Sequence, residues 1–560
     1  MERREFFRSS VMGLGGAAGF PPLSLASQRS GNSPAEAGTA GRETLSNGIQ
    51  LPSPWPPRLT ETPKDPITPA YLLSPPAVIP IDVGRQLFVD DFLIAETTLK
   101  RTFHLAEYFP DNPILKPDKP WEVGDGDPPP CAMVFSDGVW YDPQDHRFKM
   151  WYMGGYVRST CYATSKDGIH WEKPALDVKE GTNIVVPGRR DSNTVWLDLG
   201  EKDPKRRFKM FRSTLGGKTT EGKTTWSLSI HFSPDGIHWS EPPLFSGPCG
   251  DRTTVFWNPF RKVWVFSLRQ GGPRRRRYWE TRDLVTGRGW TAAGEPPLWI
   301  GSDRLDPPRP DMKITPELYN LDCVAYESLI LGLFTIWRGQ PQNREKPNEV
   351  CVGFSRDGWS WSRPDRRAFC PVSERPGDWN YSNVQSAGGC CLIVGDKLYF
   401  YVSGRGGTGK TRRDGQMCVT SLALLRRDGF ASMDAGEAHS TLTTRPVRFH
   451  GKYLFVNLDA VAGELRAEIL DERGQEIAPF SLANCLPVRG DKTLLQVNWK
   501  GVEDLSALAG KTVTFRFHLR KGRLYAFWVS PQPSGASHGY VAAGGPGFTD
   551  PTDISGAAQL

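Results

Sequence analysis

SKDGIHW occupies residues 165–171 and recurs as SPDGIHW at residues 233–239 and as SRDGWSW at residues 355–361. An Asp-Gly pair between two β-rich runs is a hairpin signal, because Gly accepts a positive φ and Asp can bond its own backbone. The first two copies lie about one period of 60–70 residues apart, and the third lies almost two periods further on. We therefore predict a degenerate copy at residues 281–290 and a fifth copy at residues 427–430.

A second hairpin pattern runs in phase with the first. Asp-Pro or Asn-Pro turns at residues 142–143, 203–204 and 258–259 each precede a run rich in aromatic and aliphatic residues. Two hairpins per unit give four strands, which is the content of a propeller blade. An ordinary β-sandwich with chance similarities is the alternative, but it does not explain two motifs that stay in phase. The sequence predicts an all-β fold, a five-bladed β-propeller followed by a C-terminal β-sandwich.

The remaining segments are assigned from composition and periodicity. Period-two alternation after residue 441 indicates the sandwich, and a strand at residues 100–108 is expected to close the propeller ring by pairing with the last blade. The predicted boundaries are a twin-arginine export signal at 1–27, a Pro/Ser/Gly-rich linker or docked arm at 28–80, the propeller at 81–437, the sandwich at 440–533 and a flexible tail at 534–560.

Composition restricts the possible classes of partner. A formal charge of +7 over 560 residues is mild and does not imply nucleic acid. Arg3 and Arg4 precede a weakly apolar, Gly-rich run, which is the layout of a twin-arginine signal, and no other run suits a membrane span. We expect export to the periplasm or beyond. The basic run at residues 274–277 is either a solvated loop or a clamp for a carboxylated or sulfated substrate.

Four stretches carry a resemblance to a known family: LFVDDFLI at residues 87–94, NPIL at 112–115, GDRTT at 250–254 and the segment 318–327. They resemble the superfamily of glycoside hydrolase families 32 and 43, and most closely the exported family-32-like proteins of polysaccharide-degrading bacteria. The resemblance implies a five-bladed propeller whose innermost strands line a central funnel. The NDPNG, Arg-Asp-Pro and Glu-Cys motifs of true family 32 enzymes are absent.

The resemblance also implies three acids in the funnel, one from each of the first three blades. They act as a general base, a pKa modulator and a general acid, which requires carboxyl groups in unlike environments. We assign Asp127 as base, Asp191 as modulator, and Asp251 or Glu327 as acid. An Asp before a strand also commonly caps a turn, which is the structural alternative for each of them.

Further residues near the same strand ends are expected to contact substrate. Aromatic rings would stack on sugar faces, and polar groups would bond hydroxyls: Trp121, Asp125, Asn193, Arg252, Tyr319, Asp322 and Asn383. No metal site or cofactor is predicted, although a structural Ca²⁺ is compatible with such folds. The predicted function is an exported glycoside hydrolase acting on a carbohydrate, with inversion. A glycan-binding propeller without activity, or a structural or partner-binding propeller, are the alternatives.

Overall fold

The computed structural model describes residues 42–126, 128–218, 222–269, 272–290, 295–342, 344–408 and 412–556. The predicted export signal and Asp127 lie outside the described residues. Regular structure is almost entirely β, with short helices at Ala70–Leu73 and Pro120–Val123 and 3₁₀ turns at Pro204–Arg206, Arg412–Asp414 and Ser506–Leu508. None of the helices in the described part of the chain has the length and apolar character that crossing a membrane requires.

Blades 1 to 3 are separate antiparallel sheets, taken in chain order from the axis outward. Blade 1 comprises Ala132–Asp142, Arg147–Gly154 and Ser159–Ser165, with Trp171–Glu172 and Ile184–Val186 both paired to the third strand. Blade 2 comprises Asn193–Leu197, Phe208–Lys218, Thr224–Ser233 and Leu244–Phe245. Blade 3 comprises Thr254–Asn258, Val263–Arg269, Arg276–Thr281 and Leu298–Ile300.

Blades 4 and 5 each recruit a strand from a distant part of the chain. Blade 4 comprises Glu317–Glu327, Leu329–Trp337 and Glu349–Ser355, with Tyr540–Val541 added to the first strand. Blade 5 comprises Ser382–Ser386, Leu392–Val394, Lys397–Arg405 and Cys418–Arg426, with Glu107–Tyr108 outermost. Tyr108 pairs with Ala423, so a strand before blade 1 completes the last blade. The five-bladed propeller is confirmed, and its ring closes as expected.

The repeated Asp-Gly hairpins join neighbouring blades. The indole Nε1 of Trp151 in blade 1 donates to the carbonyl oxygen of Gly236 in blade 2 at 2.7 Å. The Tyr401 hydroxyl of blade 5 donates to the Gly168 carbonyl of blade 1 at 2.7 Å. Trp299 of blade 3 donates to the carbonyl of Trp359 in blade 4 at 2.9 Å. Each of these three hairpins therefore contacts the blade before it. The predicted fifth copy at residues 427–430 instead leads from blade 5 into the strand Ala431–Ala435 of the C-terminal sheet.

The C-terminal part is a nine-stranded sheet. Its strands are Gln86–Leu87, Ile94–Thr97, Lys100–Phe103, Ala431–Ala435, Ser440–Thr444, Tyr453–Leu470, Val488–Val497, Thr514–Arg520 and Gly522–Ser530. Tyr453–Leu470 pairs with Gly522–Ser530 through its first half and with Thr514–Arg520 through its second. The rings of Phe515 and Phe517 contact Phe527 at centroid distances of 5.7 and 5.3 Å, so the sheet folds over an apolar core.

Two segments are placed differently from the sequence-based boundaries, and the Pro-rich arm takes the docked one of its two predicted alternatives. Residues 86–103 pair in the C-terminal sheet, although 81–437 is the range predicted for the propeller. The range 534–556 supplies a strand to blade 4, although its composition predicts a mobile tail. Trp55 of the Pro-rich arm donates to Glu280 at 3.0 Å and packs on Trp359. In all three cases the partners lie far away in sequence, where local composition carries no signal.

Candidate functional site

The inner strands of the blades begin at one end of the propeller axis. We call this end the funnel mouth and define it by Asp191, Asp251, Tyr319, Lys346 and Arg405, which lie in or beside the loops and strand ends there. The opposite end carries the Asp-Gly hairpins and contacts the chain terminus. Because each inner strand runs away from the funnel mouth, a residue early in such a strand lies near the mouth and a late one lies far from it.

Asp191 and Asp251 are held together across blades 2 and 3. The hydroxyl Oγ of Ser192 donates to the carbonyl oxygen of Asp251 at 2.7 Å, which joins the two loops. The backbone N–H of Asp191 donates to the Ser213 carbonyl at 3.0 Å and fixes its loop on the next strand. Asp191 is buried and Asp251 is half-buried. The loops that carry two of the predicted acids are therefore in contact, and the two acids differ in burial.

An aromatic ring surrounded by cations forms another part of the mouth. The ring of Tyr319 lies 6.0 Å from the Arg252 guanidinium, 5.6 Å from that of Arg274 and 5.8 Å from the Lys346 ammonium. Arg252 also stacks on Phe135 of blade 1 at 3.9 Å. The predicted contacts Tyr319 and Arg252 are thus neighbours, and both are almost fully buried.

Asp322 lies below the mouth, inside the propeller. Its Oδ2 accepts hydrogen bonds from Ser136 at 2.9 Å, Asn320 at 2.9 Å and Ser386 at 2.6 Å, which links blades 1, 4 and 5. Its Oδ1 has no partner among the described residues. Burial raises the pKa of Asp322, and the nearby Arg252 opposes that rise. The side chain therefore ties the inner strands together beneath any ligand.

Asp137 is a buried acid that the sequence did not single out. It forms a two-pronged ion pair with Arg190, in which Nη2 lies 2.7 Å from Oδ2, and accepts from Asn193 Nδ2 at 3.1 Å. The preceding Ser136 has a φ of +64°. An Asp-Gly pair within a strand-like run at residues 136–138 was the available signal. The pair holds the loop that carries Asp191. The predicted Asn193, the first residue of the blade 2 inner strand, is buried beside Asp137 near the mouth.

Asn383 is the second residue of the inner strand Ser382–Ser386 and therefore lies near the funnel mouth. Its backbone has a φ of +54° and its side chain is buried. The side-chain amide lies 2.8 Å from that of Asn348 and 2.7 Å from that of Gln385. These three amides connect blade 5 to the loop before Glu349–Ser355 and stabilise the lining of the funnel.

The loop before blade 1 carries the remaining predicted contacts. Trp121 is half-buried and donates from Nε1 to Asn183 Oδ1 at 2.9 Å, while Asp125 is exposed. The neighbouring Glu122 is fully buried, accepts from the Tyr152 hydroxyl at 2.5 Å and pairs with Lys173 at 2.7 Å. Glu122 anchors this loop at the start of blade 1. Asp127, the predicted base, lies outside the described residues.

Glu327 lies at the far end of the strand Glu317–Glu327. Eight residues separate it from Tyr319, which in an extended strand is about 26 Å. It is fully buried and its carboxylate contacts Arg427 at 3.1 Å, Arg85 at 3.5 Å and the Ser537 hydroxyl at 2.7 Å. Burial raises the pKa of Glu327, with the two arginines opposing the rise. Glu327 therefore does not share a site with Asp191 and Asp251.

Among the described residues, no group of three or more His, Cys, Asp or Glu side chains is arranged to hold a metal ion. All ten cysteines are free and buried, as the absence of a CxxC motif suggests.

Comparison with known proteins gives matches at the level of structure. No protein-family model and no curated protein matches the sequence. Similar solved structures include a putative glycoside hydrolase from Bacteroides ovatus ATCC 8483 (13% identity, 57% of this chain and 96% of that chain, TM-score 0.37). Another is a putative glycoside hydrolase from Parabacteroides distasonis ATCC 8503 (14%, 57% and 97%, 0.35). A third is a thermostable family-43 glycoside hydrolase (12%, 52% and 92%, 0.34). No residue role is taken from them.

Proposed function

We propose that this protein is a glycoside hydrolase that cleaves a poly- or oligosaccharide at the funnel mouth. The observation that carries the proposal is the juxtaposition of Asp191 and Asp251 across blades 2 and 3, joined by Ser192. Hydrolysis of a glycosidic bond requires two carboxyl groups in unlike environments, one protonated and one ionised. The resemblance of the sequence to the family 32 and 43 superfamily supports the same conclusion.

The proposed reaction is a single displacement at the anomeric carbon. Asp251 donates a proton to the glycosidic oxygen as the bond from that oxygen to the anomeric carbon breaks. Asp127 accepts a proton from the water whose oxygen forms the new bond to that carbon. Asp191, on the loop that Ser192 joins to that of Asp251, is assigned as the modulator. We assign the acid to Asp251 rather than Glu327, since Glu327 lies at the other end of blade 4.

The other residues of the mouth position the sugar. Tyr319 and Trp121 offer ring faces for stacking. Arg252 is as buried as Asn193, Asp322 and Asn383, so we propose that these four hold the inner strands in register rather than contact substrate.

The first test is a screen for released reducing sugar with plant and algal polysaccharides. We expect release by the native protein and at least about a 100-fold loss of rate in Asp191→Asn and in Asp251→Asn. The matched control is Asp145→Asn, which removes a half-exposed carboxylate from a blade 1 turn at the opposite end of the axis. Equal loss in the control would contradict the assignment.

The same screen distinguishes the hydrolase from the second candidate function, a glycan-binding propeller without activity. The absence of the NDPNG, Arg-Asp-Pro and Glu-Cys motifs favours this candidate. Binding of a polysaccharide with no release of sugar, and with equal affinity in Asp191→Asn, would establish it. If sugar is released, proton NMR of the first-formed anomer tests the proposed inversion, since retention would require a covalent intermediate.

We also propose export by the twin-arginine pathway, on the basis of Arg3 and Arg4. Fractionation of cells that express the native chain and a variant with both arginines changed to lysine tests it. The native chain is expected in the periplasm or medium, and retention of both chains in the cytoplasm would contradict export.

A further inference from the structure

We propose that the blade 3 wall of the funnel mouth binds an anionic group, a carboxylate or sulfate ester, carried by the saccharide ligand. The site is formed by Arg269, with Arg252 and Arg276 directly behind it and Tyr319 beside it. The saccharide nature of the ligand rests on the proposed function, whereas the anionic group follows from the charges themselves.

Arg252 and Arg276 are buried guanidinium groups that bond neutral acceptors. Arg252 donates to the Phe135 carbonyl at 3.2 Å and to Ser136 Oγ at 3.0 Å. Arg276 donates to the carbonyls of Arg252 at 2.5 Å and Tyr319 at 2.6 Å and to Asn320 Oδ1 at 2.9 Å. In both, Nε has no hydrogen-bond partner among the described residues. A buried cation without a carboxylate in contact is costly, and a bound anion would offset that cost.

Two other buried arginines of this protein pair with carboxylates instead. Arg190 pairs with Asp137 through two nitrogens. Arg363 pairs with Asp306 in the same way, at 2.9 and 2.5 Å. Arg252 and Arg276 therefore differ from these two arginines, whereas the buried Arg212 of blade 2 likewise donates to carbonyl oxygens, those of Pro187 and Gly188.

The guanidinium groups also repel one another. Burial, followed by repulsion from Arg252 and Arg269, lowers the pKa of Arg276 to about 9. Burial is also the main reason that the pKa of Arg269 is lowered. The carboxyl groups that oppose these effects are Asp251, Asp322 and, for Arg269, Glu317. The four arginines Arg252, Arg269, Arg274 and Arg276 outnumber these three carboxyl groups, so the local charge is positive.

The cluster is accessible from the mouth through Arg269. Arg269 ends the strand Val263–Arg269 and is partly exposed, and its carbonyl accepts from the N–H of Gly250, next to Asp251. Arg274 is 33% exposed, lies 5.6 Å from the Tyr319 ring and pairs with Glu317 at 2.7 Å. A planar guanidinium can bind a carboxylate or sulfate through two parallel hydrogen bonds, while the buried arginines add a field that attracts the anion.

The arginines of the basic run at residues 274–277 do not all face the same way. Arg276 points toward blade 4, whereas Arg277, on the other face of the strand, donates to the Pro296 carbonyl at 2.8 Å. The predicted clamp is therefore not the run as a whole. Arg277 provides a matched control, since it carries the same charge one residue away and faces away from Tyr319.

The test measures binding by calorimetry in the full-length Asp191→Asn background, so that no ligand is consumed. The probes are two pairs, an oligogalacturonate with its methyl ester and a sulfated carrageenan oligosaccharide with its desulfated form. We expect the charged member of one pair to bind at least tenfold more tightly, and the pair identifies which anion is preferred. Added Arg269→Gln should abolish the difference, and added Arg277→Gln should keep it.

Equal affinities within both pairs, no binding of any probe, or equal effects of the two arginine variants would overturn the proposal. These outcomes are distinct from failure of the proposed function. Charge-selective binding by a protein that releases no sugar contradicts the hydrolase and supports the anion site. Sugar release from neutral and charged substrates at equal rates supports the hydrolase and contradicts the anion site.

Discussion

Buried arginines in this protein fall into two groups that differ in their partners. Arg427 contacts Glu327 at 3.1 Å and Asp553 at 3.2 Å, far from the funnel mouth. Arg276 contacts neutral oxygens beside Tyr319, as described above. The first arrangement satisfies charges inside the fold, and the second leaves positive charge near an opening. Residue-level burial alone does not separate structural from functional charges, whereas the identity of the partners does.

Glu327→Gln should destabilise the fold by about 3 kcal/mol, because it removes the charge that Arg85 and Arg427 face in a buried site. Urea unfolding measures the change, with the exposed Glu472→Gln as control. An unchanged midpoint of urea unfolding together with lost hydrolysis would indicate that Glu327 takes part in catalysis and would contradict the structural role.

Asp142 should make the propeller sensitive to acid. Its carboxylate contacts Arg207 of blade 2 at 2.9 Å and Lys149 of its own blade 1 at 2.7 Å. Burial alone would raise the pKa of Asp142, but these two cations lower it to about 2. Because the folded pKa lies below the unfolded value, the stabilisation of about 2 kcal/mol is complete above about pH 4 and is lost as the pH falls toward 2.

Unfolding free energies measured between pH 2 and pH 5 test this for the native protein and Asp142→Asn. The variant should be less stable at pH 5, and its stability should fall less toward pH 2. Parallel pH profiles for the two proteins would contradict the assignment.

At the scale of elements, the Asp-Gly hairpins hold neighbouring blades together. Gly236 has a φ of +81°, and a Cβ at this position would lie 2.4 Å from the Trp151 ring of blade 1. Gly181 has a similar φ of +72°, but nothing lies within 4 Å of its Cβ position. The two glycines therefore share a backbone conformation and differ in packing.

Gly236→Ala should destabilise the protein by about 3 kcal/mol, since backbone strain and a clash between blades add. Gly181→Ala should cost about 1 kcal/mol, from the backbone alone. Denaturant unfolding of both variants measures the difference, and equal costs would show that the hairpin does not act as a joint.

The Asp-Gly repeat made the blades predictable because it reports a local turn that each blade needs. Asp191 and Asp251 were predictable as neighbours for the same reason, since both precede an inner strand. Asp137 was missed because a buried ion pair with Arg190 is set by tertiary contact, across 53 positions of chain. The place of Glu327 was not evident either, because its partners Arg85 and Ser537 lie more than 200 positions away on either side of it in the chain.

At the scale of the whole molecule, a segment before blade 1 and the final segment of the described chain both pair with propeller strands. Glu107–Tyr108 completes blade 5, and Tyr540–Val541 pairs with the inner strand of blade 4. Tyr540 also packs on Phe260 of blade 3 at 5.0 Å. Ser537 and Asp553 contribute to the contacts around Glu327 and Arg427. The final segment therefore stabilises the end of the axis opposite the mouth.

Truncation after Pro533 should lower the Tm by several degrees, because it removes a strand and exposes the buried charges of Glu327 and Arg427. Truncation after Gly556 is the control, since it leaves every one of these contacts in place. Calorimetry measures both, and an unchanged Tm in the shorter chain would contradict a structural role for the segment.

The most direct test of the central claim compares sugar release by the native protein, Asp191→Asn and Asp145→Asn on the same polysaccharide panel. We predict release by the native protein and by Asp145→Asn at similar kcat/KM, with at least about a 100-fold lower value for Asp191→Asn. No release from any polysaccharide, or equal rates for all three proteins, would contradict a hydrolase whose chemistry occurs at the funnel mouth.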